Sequence, residues 1–180
     1  MGYRHSREDI LQAAVAVALD GGMAGLTFAK VGERLRISDR TVVYYFPTKP
    51  DLVNAVVMAL AADLTGLLES AFGSEPRTPA ELTRRAWPVL TTPTADCVFA
   101  LYFEIVGLAS AGLAPYPDLA RALVDGWVDW VTPRIVGSTP AVRRRRALAV
   151  VAQIDGLLLV RHIVSHDAAD TAAREFGLRR

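Results

Sequence analysis

The sequence predicts an all-α chain, and three observations carry that prediction. Apolar residues recur at three- and four-residue spacing through every long segment. The breaks between segments are short and rich in glycine, proline and hydroxyl residues. No segment alternates polar and apolar residues as a half-buried strand does. At 180 residues there is ample material for a core. A hydrophobic content of 52% excludes a disordered chain. It is also high for a soluble monomer, and a large interface between copies would use the excess.

The first helix is expected over residues 6–19, with Ile10, Ala14 and Val17 on one face. Ser6 caps it, and Asp9 three residues on completes a weak capping box. Met1, Gly2 and Ser6 also match the myristoylation pattern M-G-x-x-x-S, but the cap is the preferred reading. Glu8 and Asp9 before the apolar run argue against a signal peptide, which needs positive charge there. Gly21 and Gly22 supply a left-handed exit.

Residues 27–49, TFAKVGERLRISDRTVVYYFPTK, organise the rest of the chain. Thr27 caps a short helix whose Phe28, Val31 and Leu35 mark one buried face. Ser38 caps a second helix, and Ile37 before it packs on Val42 or Val43. Only the three residues 35–37 separate the body of the first helix from the cap of the second. That spacing suits a helix-turn-helix, whose second helix can enter the DNA major groove.

The residues Thr27, Val31, Ile37, Ser38, Thr41, Tyr44, Tyr45, Phe46, Pro47, Thr48, Lys49 and Leu52 agree in order and spacing with the DNA-binding end of one family. The stretch resembles the TetR family of bacterial transcriptional regulators, over about the first 55 to 60 residues. Three positions depart from the pattern. Arg36 stands for the usual turn glycine, Arg40 for a small residue and Val43 for a tyrosine. The resemblance implies a three-helix helix-turn-helix head, residues 1–50, joined by a long helix to a ligand-binding and dimerisation domain, residues 51–180. It implies DNA contacts from Thr27, Lys30, Ser38, Asp39, Arg40, Thr41, Tyr44, Tyr45 and Lys49, with Tyr45 and Lys49 on the phosphate backbone. Charge adds little to this, because the chain's net charge is only +1.

The long fourth helix is expected from Lys49 through Leu52, Val56, Leu60 and Leu64 to about Ala71. Residues 72–79 form a loop, and residues 81–90 a short helix that Pro88 should bend or end. Residues 96–111 are apolar on all sides, which predicts a buried helix. Helices over residues 118–136, 140–165 and 167–176 complete the chain. By the resemblance, the last two would pair with their copies in a homodimer. Ile154, Gly156, Leu157, Leu158 and Phe176 are the interface candidates, with Gly156 allowing close backbone approach.

The ligand candidates are Trp87, Phe99, Tyr102, Phe103, Trp127 and Trp130, which can supply the apolar walls of a pocket. Core packing is the competing reading for each. Glu104 either anchors a ligand or reaches outward. An apolar or aromatic small-molecule effector is implied. His162 and His166 have metal-ligand spacing but lack companions, so surface histidines are the preferred reading and no metal or cofactor is expected. The run 143–146 of four arginines is read as a solvated face pairing with nearby acids. The single cysteine, Cys97, is read as inert packing and fits a reducing cytoplasm. No apolar run approaches the roughly 18 residues that span a bilayer, so no membrane is expected. With no nucleophile elbow, P-loop or dinucleotide fingerprint, the chain is expected to be no enzyme. The expected function is a ligand-responsive, DNA-binding regulator that represses from a pseudo-palindromic operator. The competing class is an all-helical small-molecule binder or enzyme whose head has lost DNA affinity, which Arg36, Arg40 and Val43 keep open.

Overall fold

The computed structural model describes residues 5–178, so Met1 and Gly2 of the myristoylation pattern lie outside the described residues. Nine α-helices follow one another among these residues: α1 (Arg7–Gly25), α2 (Phe28–Leu35), α3 (Asp39–Tyr45), α4 (Lys49–Phe72), α5 (Pro79–Leu90), α6 (Pro93–Ser110), α7 (Tyr116–Val131), α8 (Pro140–Ile163) and α9 (His166–Glu175). A 3-10 turn, Thr132–Arg134, extends α7. The fold is all-α, and the described residues hold no strand, only an isolated bridge between Arg77 and Ile135.

Local sequence sets most helix starts. Ser6 with Asp9, Thr48 with Asp51 and Thr78 with Glu81 each form a capping box, in which hydroxyl and carboxylate satisfy each other's backbone N–H. Thr92, Thr139 and Ser165 cap α6, α8 and α9 through their hydroxyls. Proline occupies the first turn of α4, α5, α6, α7 and α8, where its missing N–H costs nothing.

Two apolar clusters form the interior. One gathers α1, α2, α3 and the start of α4 around Ile10, Val31, Val42, Phe46 and Leu52, and it draws in Leu101 and Ile105 of α6 and Leu119 and Leu123 of α7. The other joins the far half of α4 to α5, α7, α8 and α9 around Phe72, Leu82, Trp87, Val128 and Leu158. Residue 50 therefore cuts a helix whose first half packs with the head. The interior is continuous across that point, because α6 and α7 feed the head's cluster.

Several expected features are corrected. α1 does not stop near residue 19; it continues past a kink at Gly22, whose φ of +70° few other residues tolerate. α5 starts at Pro79, two residues before the expected start, and ends at Leu90 as expected, with Pro88 inside it. α6 is not buried on all sides. Ala95, Leu101 and Ile105 are fully buried, but Val98, Phe99, Tyr102 and Phe103 are only half-buried; the first three of these line a cavity, while Phe103 stacks on His162. Cys97 is exposed, not packed. α4 and α6 are long and apolar enough to cross a membrane by length and composition, contrary to expectation. α4 spends its apolar residues on both interior clusters, with Leu52 to Leu60 in one and Leu64 to Phe72 in the other.

Candidate nucleic-acid interface and internal cavity

The helix-turn-helix is built on two close backbone approaches. Arg36 ends α2 in the left-handed conformation, φ +56° and ψ +41°, and its N–H and that of Ile37 reach back to the carbonyls of Glu33 and Gly32. The arginine thus adopts the geometry that the usual glycine would take, at a conformational cost of about 1 kcal/mol or more. Gly32 is the second approach. A Cβ there would sit 2.9 Å from the Ile37 carbonyl oxygen and 3.3 Å from the Asp39 nitrogen. This glycine sets how tightly α3 crosses α2, and sequence reasoning passed over it because a single mid-helix glycine carries no turn signal.

α3 turns Val42 into the core and leaves Asp39, Arg40, Val43 and Tyr44 exposed. Tyr44 is the most open of these, 79% exposed. Thr27 and Lys30 are also exposed at the start of α2, where the Thr27 hydroxyl accepts from the Lys30 N–H at 3.2 Å. Ser38 occupies the cap position of α3 but makes no side-chain cap bond. Its hydroxyl instead pairs with that of Thr41 at 3.1 Å, which corrects the expected cap. The Arg40 N–H is held by Asp39 Oδ1 at 2.8 Å, while no hydrogen bond or ion pair engages the Arg40 guanidinium among the described residues.

Tyr45, expected at the phosphate backbone, has a half-buried ring, and its hydroxyl donates to the His5 carbonyl at 3.1 Å. Arg7 lies 4.7 Å over the Phe46 ring beside it. His5 and the first residue of α1 thus fasten the end of α3, leaving Tyr44 as the exposed aromatic. Lys49, in the first turn of α4, is half-buried, and that burial lowers its ammonium below its ordinary value.

Behind the head, α4, α6, α7 and α8 enclose an apolar cavity of about 80 Å³. Phe99, Tyr102, Trp127 and Trp130 line it, together with Leu60, Leu64, Ile154 and Asp155. The Tyr102 hydroxyl donates to Asp155 Oδ2 at 3.0 Å. Burial raises Asp155 to about 6, against which the Tyr102 hydrogen bond acts weakly downward. Burial and the neighbouring Asp155 charge also push the Tyr102 hydroxyl upward. Asp155 was missed in the sequence, although the signal weighed for Glu104, a carboxylate in an apolar helix, applies equally to the segment around it.

Three ligand candidates fall outside this cavity. Trp87 is fully buried in the core, and its indole N–H donates to Asp170 at 3.3 Å. Phe103 stacks on His162, ring centres 5.7 Å apart. Glu104 is half-buried and does not line the cavity. It grips α1, accepting from the backbone N–H groups of Met23 at 2.8 Å and Ala24 at 3.2 Å. Gly22 makes room for this contact, since a Cβ there would lie 2.9 Å from the carboxylate. α6 therefore touches the cavity through Tyr102 and the head through Glu104, two residues apart.

The interface candidates divide in the same way. Leu157 and Leu158 are buried inside the protomer, and Ile154 lines the cavity. Gly156 and Phe176 are exposed. With Leu148, Ala152, Leu159 and Ile163, Gly156 forms an exposed stripe at three- and four-residue spacing along α8. Nothing lies within 4 Å of where a Gly156 Cβ would stand.

The arginine run pairs locally. Arg144 binds Asp125 and Asp129 of α7, while Arg143 and Arg146 donate to the carbonyls of Gly137 and Val136. Arg161, which sequence reading did not single out, holds Asp96 through two bonds of 2.6 and 2.8 Å and the Thr91 carbonyl at 3.0 Å. Its guanidinium keeps the Asp96 carboxyl below the ordinary carboxylate range. His166 Nε2 lies 3.7 Å from the same carboxylate. Among the described residues no group of three His, Cys, Asp or Glu is placed to hold a metal.

Comparison with known proteins bears on these surfaces. Residues 10–56 match the model of the bacterial regulatory proteins, tetR family. No curated protein sequence matches the chain. Among solved structures, a transcriptional regulator from Rhodococcus sp. Rha1 is 22% identical with a TM-score of 0.72, covering 97% of this chain and 95% of its own. A TetR transcriptional regulator from Legionella pneumophila is 18% identical with a TM-score of 0.68, covering 98% and 97%. The multidrug binding protein EbrR, solved with proflavin, is 22% identical with a TM-score of 0.65, covering 94% and 95%. Residues 10–56 of this chain thus match the N-terminal domain model of the bacterial tetR-family regulatory proteins, and the described residues share the fold of such a regulator.

Proposed function

We propose that this chain is a ligand-responsive transcriptional repressor, binding a pseudo-palindromic operator as a homodimer and leaving it when a small molecule fills the cavity. The observation that carries this reading is the double engagement of α6, with Tyr102 in the cavity wall and Glu104 on the backbone of α1. A molecule that displaces α6 acts on the base of the head without crossing any flexible linker. A coupling of about 1–3 kcal/mol is enough for a useful response. That EbrR holds proflavin in the same fold supports a role for the cavity in binding an aromatic or apolar effector.

In this reading α3 enters the major groove. Arg40, Tyr44 and Thr41 face the bases, and Thr27, Lys30, Ser38 and Lys49 face phosphates. Phe99, Tyr102, Trp127 and Trp130 contact the effector. A regulator of this kind works in the cytoplasm, with the DNA. Two α8 stripes packing on each other, with Phe176 at their margin, place the two α3 helices about 34–36 Å apart, in successive turns of the groove. Selection of bound sequences from random DNA tests the reading. An enriched inverted repeat with half-sites one turn apart is expected, and the absence of any enrichment would refute it. Gly156→Leu tests the dimer. The protomer has room for the side chain, so melting of the protomer should be unchanged. Light scattering should fall from a dimer of about 39 kDa toward the 19.5 kDa chain.

A further inference from the structure

We propose that the cavity is built for a compact organic cation, an ammonium bearing N–H donors on an apolar body, with Asp155 as its counter-ion. This names the effector class of the regulator reading and rests on that reading for its biological role, though not for the binding itself.

Asp155 is the one carboxylate among the cavity's lining residues, whose other polar groups are the Tyr102 hydroxyl and the indole N–H groups of Trp127 and Trp130. A carboxylate offers about four acceptor positions. Tyr102 fills one on Oδ2, and Oδ1 makes no hydrogen bond among the described residues yet is not sealed from access. Among the described residues no cation pairs with this charge. On α8 itself Arg161 is committed to Asp96 and Thr91, and His162 is stacked on Phe103. On α7, Asp125 and Asp129 are taken by Arg144. On α6, Asp96 is paired with Arg161, and Glu104 is bound to α1. An enclosed carboxylate without a counter-charge is costly, and burial accordingly raises the Asp155 value and disfavours its charged form. A bound ammonium removes that cost.

The walls suit the same ligand. Phe99, Tyr102 and Trp127 offer ring faces and edges around the carboxylate, and aromatic faces attract cations. One face of Trp130 is already occupied by Arg134, at 3.9 Å from the ring centre, so it contributes less. A volume of about 80 Å³ is smaller than the roughly 150 Å³ void that accepts benzene. The ligand must therefore be small, with half-buried Phe99 and Trp127 yielding to admit a ring.

Titration calorimetry on the full chain with benzylamine and its neutral counterpart benzyl alcohol tests this, at about pH 8 and about pH 5, either side of the Asp155 value near 6. Benzylamine should bind about tenfold or more tightly than benzyl alcohol at the higher pH, and the preference should shrink at the lower pH. Asp155→Asn should abolish the preference while keeping benzyl alcohol binding. Tyr102→Phe, which leaves the carboxylate in place, should retain it. Equal binding of the two probes, no binding of either, or a preference surviving in Asp155→Asn would overturn the proposal. Retention on DNA without probe is measured alongside. Retention with no benzylamine preference defeats the cation and leaves the regulator standing. A preference lost in Asp155→Asn with no retention defeats the regulator and leaves the cation site standing.

Discussion

The head and the body of this molecule expose function in opposite ways. In the head the working surface is outside: α3 is a short helix whose buried Val42 fixes it and whose Arg40 and Tyr44 stand in solvent. In the body the working surface is inside, an apolar cavity between four helices with one half-free carboxylate. An external surface needs rigid support and tolerates any polar side chain. An internal one needs a gap in the packing and is sensitive to every charge. The two are held accordingly, the head by close backbone approach at Gly32 and the body by the enclosed pair of Arg161 with Asp96.

The largest expected effect tests how the body is held. Arg161→Met leaves Asp96 with only His166 nearby and should cost about 2–3 kcal/mol in denaturant unfolding, the loss being moderated because Asp96 is partly exposed. The contribution has a known sign. The folded-state value of Asp96 is depressed, so its stabilisation is present above the ordinary carboxylate range and is lost as pH falls through the depressed value. Arg161→Met should flatten that acid limb, and an unchanged limb would place the pair's role elsewhere.

Gly32→Val tests how the head is held. The obstructing atoms are backbone, so the helices must separate, at about 1–3 kcal/mol by overpacking. DNA retention should fall even where the variant remains folded, because the angle of α3 changes. Full retention would mean that the crossing of α2 and α3 is not critical.

Asp155→Asn sharpens the contrast from the other side, because it should stabilise. The folded-state value is raised from 3.8 to about 6. Stability from this group is therefore full below the unfolded value and is lost as pH rises through the folded one. Removing the charge should raise stability by up to about 2 kcal/mol at neutral pH and by almost nothing below pH 3.8. Melting curves across that range give the answer, and equal gains at both ends would point to packing instead of charge.

The most local effect is at a single base pair. Arg40→Ala should cost about 1–3 kcal/mol at one operator position and relax a guanine preference there, with little loss on unrelated DNA. A uniform loss across all sequences would make this arginine a phosphate clamp.

What the sequence determined is local. Capping hydroxyls, first-turn prolines and helical periodicity act over three or four residues, so they placed α2, α4 and α8 within a few residues and made the helix-turn-helix legible at Thr27, Ile37 and Ser38. Even the irregular Arg36 turn was located, though not its left-handed conformation. The tertiary structure decided which side of each helix meets which neighbour. That assigned Trp87 to the core, turned Leu157 and Leu158 inward, bound Glu104 to α1 and left Asp155 facing a gap. Aromatic and leucine side chains satisfy a core, a cavity wall or an interface equally well, so their identity carries no address. Only the relative position of α4, α6, α7 and α8 creates the gap, and no periodicity within one helix reports where another helix stops short of it.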